Sequence, residues 1–120
     1  MLRLNKNDGV MKMSKIDKVS IYKLYAIEIY EMVKSVIPKY RHKFSPKRYT
    51  YWQMLSASIY GRTQEMKYRD IVEHLLISDS IRKVFEFEEV PSHKSLWEAF
   101  DATDEKILNE LFEKSIEKFN

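Results

Sequence analysis

Apolar residues return at steps of three and four along most of this chain, the spacing of one face of an α-helix. The longest stripe is Val19, Tyr22, Ala26, Ile29, Val33 and Val36, broadened beyond a two-stranded seam by Ile21, Tyr25 and Met32. Ser14 with Asp17 gives that helix a capping-box-like start, and Pro38 ends it. Thr50 caps a second helix reaching Tyr60, with Trp52, Leu55 and Ile59 inward. Ser56, Ala57 and Ser58 are small enough to let another helix approach, and Gly61 stands where a helix C-terminus favours glycine. A third helix, from about Lys67 to Leu76, buries Ile71, Val72, Leu75 and Leu76. Ser78 caps a short fourth helix carrying Ile81, Val84 and Phe85. Residues 86–90 alternate, but one isolated extended run makes no sheet and reads as loop. Pro91 and Ser92 open a fifth helix with Leu96, Trp97 and Phe100 inward. Asp101 or Thr103 starts the last, whose apolar face is Ile107, Leu108, Leu111, Phe112, Ile116 and Phe119.

These elements predict an all-α fold, a compact bundle of about five to six helices. Residues 1–13 have no period and read as a flexible arm. Residues 14–120 read as one helical domain: the long amphipathic helix (14–37), a basic loop (38–48), a core (49–100) and an acidic amphipathic helix (101–120). A chain of 120 residues, 13% of them aromatic, is long enough for one core and too apolar for a disordered tail. The absence of cysteine removes disulfides, thiol nucleophiles and Cys-based zinc, and suits a reducing cytosol. No apolar run nears the roughly 20 residues of a membrane span. The N-terminus lacks a secretory signal, so a cytoplasmic protein with no membrane partner is expected.

Charge changes the picture more. Residues 1–85 carry 17 Lys/Arg against 8 Asp/Glu, whereas residues 86–120 carry 4 against 10. One end therefore attracts a polyanion that the other repels. The sharpest basic run, residues 38–48, contains Lys43, Lys47 and Arg48 among interleaved aromatics. It reads equally as a solvated linker or as a phosphate-contacting loop.

Catalytic signals are missing. There is no glycine-rich phosphate loop, no paired metal-binding histidine motif and no nucleophile elbow. His42, His74 and His93 fall on separate elements, and no metal or cofactor site is assigned. Asp101, Asp104 and Glu105 are the densest acids, better read as a helix start than as the centre of a metal-dependent nuclease. An enzyme is not expected.

Residues 67–85 have the pattern of a helix-turn-helix, with Leu76 at the turn and Ser78 as the cap. Its second helix turns Ser80, Arg82 and Lys83 outward. Two packed helices with no DNA role explain the same periodicity.

Taken together, residues 38–100 resemble the N-terminal region of insertion-sequence transposases of the DDE superfamily. The likeness runs from Lys43-Phe44-Ser45-Pro46-Lys47-Arg48-Tyr49-Thr50 through the 52–59 helix to Tyr68-Arg69-Asp70-Ile71-Val72. It continues with Ser78 and the 81–85 helix and closes on Val90-Pro91-Ser92-His93-Lys94-Ser95-Leu96. The resemblance implies a helical module that binds the element's terminal DNA, with a second copy or a full-length transposase as further partners. The ribonuclease-H-like domain that carries the family's catalytic acids has no room in 120 residues, so the resemblance implies a truncated form. Either the helix after Ser78 (Ser80, Arg82, Lys83) or the helix after Ser92 (His93, Lys94, Ser95) reads bases, and the two stay open. Arg62, Gln64, Lys67 and Arg69 flank either helix as backbone contacts. The competing expectation is a helical protein–protein interaction or dimerisation module without DNA affinity, resting on the 19–37 stripe and the 107–119 face.

Overall fold

The computed structural model describes residues 21–40 and 48–119, the side chains at 115, 116, 118 and 119 excepted. The expected N-terminal arm, the Ser14 start, His42, Lys43 and Lys47 lie outside the described residues. So do Val19 and the side chains of Ile116 and Phe119. Within them the fold is all-α: α1 (21–36), α2 (Tyr51–Arg62), α3 (Tyr68–Ile77), α4 (Asp79–Val84), α5 (His93–Asp101) and α6 (Glu105–Phe119). None of these helices is long and apolar enough to cross a membrane.

The core is organised around α2. From Gln53 to Gly61 every residue is buried, including Gln53, Ser56 and Ser58, as expected of a helix enclosed on all sides. Its start is fixed twice over. Thr50 accepts the Gln53 N–H at 3.0 Å, while the Gln53 side chain accepts the Thr50 N–H at 2.8 Å, a complete capping box. The first helical N–H, that of Tyr51, donates to the Lys39 carbonyl at 2.8 Å.

Around α2, α1 lies antiparallel. Near its start Tyr25 donates to the Thr63 hydroxyl and rests 5.9 Å from the Tyr60 ring; at its end the Ile37 carbonyl accepts the Trp52 indole N–H at 2.6 Å. Ala26, Ile29, Met32 and Val33 supply the buried face, joined by Tyr30 and Ile37. Ile21 and Tyr22 are exposed, so the expected stripe enters the core only from Tyr25 onward. α3 and α5 both pack on α2 and on each other. The small triplet has the expected role: Ser58 donates to the Met54 carbonyl (2.9 Å) and the Leu96 carbonyl (3.1 Å), holding α5 against α2. α6 contributes Leu111 to the core, and Phe112 meets Phe100 at 6.3 Å.

Several sequence expectations are corrected. Gly61 does not end α2, which continues to Arg62; the left-handed residue of the following turn is Glu65, at φ 61°. Glycine is required at 61 because a Cβ there would come within 2.2 Å of the Ile71 side chain, so the site is a helix crossing. Leu76 is neither buried nor at a turn. α3 runs through Ile77, and both residues are exposed because α3 buries one narrow face, Ile71 and Leu75. Ser78 alone connects α3 to α4, and its side chain makes no cap. The last helix starts at neither Asp101 nor Thr103. Asp104 caps it, its carboxylate accepting the Lys106 N–H at 2.7 Å, while Thr103 is buried, donating to the Ala99 carbonyl at 2.8 Å and accepting from the Tyr51 hydroxyl.

Candidate nucleic-acid interface

The two short helices differ in what their polar residues are free to do. In α4, Arg82 turns back on its own fold. Its guanidinium donates to the Leu75 carbonyl at 3.2 Å and the Leu76 carbonyl at 3.3 Å, and it pairs with Asp79. Those carbonyls belong to the last turn of α3, which has no intrahelical donors left for them. The Arg82 side chain is consequently only 25% exposed, which corrects its expected outward placement. Ser80 is half-buried, whereas Lys83 is exposed as expected. They line a cleft of about 680 Å³ whose opposite wall is α1, at Lys23, Ile27 and Tyr30.

α5 has the opposite character. Ser92 caps it, accepting the Ser95 N–H at 3.2 Å and donating to the Ser95 hydroxyl at 3.0 Å, so Ser95 is half-buried and partnered. Leu96 and Ala99 are buried, and Phe100 packs between Tyr68 and Phe112. His93 and Lys94 are exposed. Trp97 was expected inward but is 49% exposed. Each helical residue turns about 100°, so a buried face centred on Leu96, Ala99 and Phe100 carries Trp97 past its edge. Trp97 stands four residues after His93 and three after Lys94, and the three side chains share one exposed strip.

The remaining candidates lie apart from that strip. Arg62 donates to the Met66 carbonyl at 3.1 Å and stacks 5.5 Å from the Tyr68 ring. Burial pushes the Tyr68 hydroxyl pKa up, Arg62 pulls it back and Asp101 raises it further. Because Tyr68 also meets Phe100 at 6.3 Å, the exposed Lys67 and Arg69 beside it lie toward the C-terminal end of α5. Gln64 donates to the Tyr60 carbonyl at 2.8 Å and serves the end of α2. Arg48 is exposed and pairs with Glu89 at 3.2 Å. Among the described residues no three His, Asp or Glu side chains are grouped to hold a metal ion. Sequence reasoning missed Gln53, whose Thr-x-x-Gln spacing was the available signal, and placed Trp97 on the wrong face.

Comparison with protein-family models, with curated proteins and with solved structures gave no match in any of the three.

Proposed function

We propose that the chain is a non-catalytic DNA-binding module of the transposase N-terminal kind, and that α5 is the helix that approaches the bases. The observation that carries this choice is the open strip His93, Lys94 and Trp97, set against the engaged Arg82 and half-buried Ser80 of α4, where Lys83 alone of the three is exposed. A helix reads a major groove only with a solvent-facing polar side, and α5 has one. Lys67 and Arg69, with the basic run 38–48, supply phosphate contacts whose affinity is independent of sequence. The acids of α6 stay away from the duplex.

The test selects duplexes from a random pool and titrates the winner and a scrambled control by fluorescence anisotropy at several salt concentrations. Lys94→Ala and Trp97→Ala alter the preference between the two duplexes. Lys67→Glu with Arg69→Glu weakens both alike and lowers the salt slope by about one per lost phosphate contact. A folded protein that binds neither duplex at low salt overturns the proposal. A helical interaction module then leads, favoured by the exposed Ile21 and Leu24 of α1, and sedimentation equilibrium reads its self-association.

A further inference from the structure

The cleft between α1 and α4 contains an imbalance of partners. Its three carboxylates are engaged: Glu31 pairs with Lys34 at 3.9 Å, Asp79 pairs with Arg82, and Glu86 accepts the Tyr30 hydroxyl at 2.8 Å. Lys34 is further held 4.2 Å from the Tyr30 ring centroid. Burial, then the Glu86 bond, pushes the Tyr30 pKa far up, so its hydroxyl remains a donor and keeps Glu86 in place. Lys23 on one wall and Lys83 on the other have no carboxylate partner among the described residues, and the Ser80 hydroxyl beside them has no hydrogen-bond partner there. Ile27 and Val84 add apolar lining.

We propose that this cleft binds a phosphoryl group, with Lys23 and Lys83 as the two cations and Ser80 as the hydroxyl donor. Two ammonium groups across one cleft repel each other, and an anion between them reverses the sign of that interaction. The Tyr30 hydroxyl is neutral and leaves the Glu86 charge in the sum, so with Arg82 set against Asp79 the cleft holds a surplus of one positive charge. A phosphoryl anion offsets it and offers oxygens for the lysine and serine donors. The volume of about 680 Å³ lies within the range of small-ligand sites, roughly 300–1,000 Å³, and is far too small for a duplex. The ligand is therefore a terminal phosphate of a nucleic-acid strand or a free phosphate compound. This site is distinct from the strip on α5 and does not depend on it.

Inorganic pyrophosphate is the first probe, titrated into the protein while backbone amide shifts are followed by NMR. Saturable shifts confined to α1 and α4 are expected. Lys23→Ala with Lys83→Ala weakens binding about ten-fold or more, as loss of charge-assisted hydrogen bonds requires. Both lysines are exposed, so the double variant keeps the native circular dichroism spectrum and melting temperature. Lys94→Ala leaves pyrophosphate binding unchanged, which separates this site from the duplex-binding reading. A second arm compares a short single strand with and without a 5′-phosphate. Tighter binding of the phosphorylated strand than of pyrophosphate assigns the site to strand ends, and the reverse order assigns it to free phosphate compounds. Shifts that never saturate, or a double variant that binds as well as the parent, overturn the proposal.

Discussion

Gln53 is one buried amide with three obligations. Its oxygen accepts the Thr50 N–H, and its nitrogen donates to the Phe85 carbonyl at 3.1 Å and the Glu86 carbonyl at 2.8 Å. It thus ties the start of α2 to the turn that follows α4. Gln53→Ala leaves these groups without their partner and is expected to cost about 2–4 kcal/mol in urea denaturation, since each buried unpaired polar group costs roughly 1–3 kcal/mol. Gln53→Glu restores the acceptor and not the donors, so it recovers little. His74 gives a second effect at this scale. It lies 3.0 Å from the Tyr60 hydroxyl, and burial lowers its pKa from the ordinary 6.5. The unfolded chain then binds a proton that the folded chain resists. The stabilising contribution is complete above 6.5 and is lost as pH falls through the folded value. Melting temperature should fall as pH drops below the ordinary histidine value of 6.5, and His74→Gln should flatten that part of the profile.

Between elements, distance of approach decides what each residue means. Gly61 meets Ile71 where α2 crosses α3, and Ile71 is fully buried with little room to rotate. Gly61→Ala gains about 1 kcal/mol of helix propensity but overpacks the crossing, so a net loss of about 1–2 kcal/mol is expected. Pairing it with Ile71→Val, which removes one of the obstructing carbons, should recover part of that loss. The helices themselves were legible from the sequence because period, Thr50 and Ser92 caps and Pro38 all act within one or two turns. Leu55, Ile71, Leu75 and Leu96 are buried as their spacing implied. The failures share a cause. The reach of Arg82 to the end of α3, the outward Trp97 and the exposed Leu76 depend on how wide a face each helix gives its neighbour, and hydrophobic pattern does not encode that width. On the candidate interface, the sequence named His93 and Lys94 but left two helices in contention, because engagement of Arg82 is a tertiary fact.

At the scale of the whole molecule, residues 1–85 carry a surplus of cations and residues 86–120 a surplus of acids, and among the described residues Arg48 with Glu89 joins the two. Both partners of that pair are exposed, so it contributes little to stability and opposes little the transfer of Arg48 to a polyanion. The enclosure of α2 has a different consequence, one of timing. Every neighbour it packs against comes from another part of the chain, so no local opening uncovers its backbone. Its amides from about Leu55 to Tyr60 should exchange with deuterium only when the entire protein unfolds, at a rate set by the global free energy, while the amides at Leu76 and Ile77 exchange orders of magnitude sooner. Hydrogen exchange followed by NMR in dilute denaturant reads this directly: α2 protection should decline with the full denaturant slope of equilibrium unfolding, and the end of α3 should show almost none.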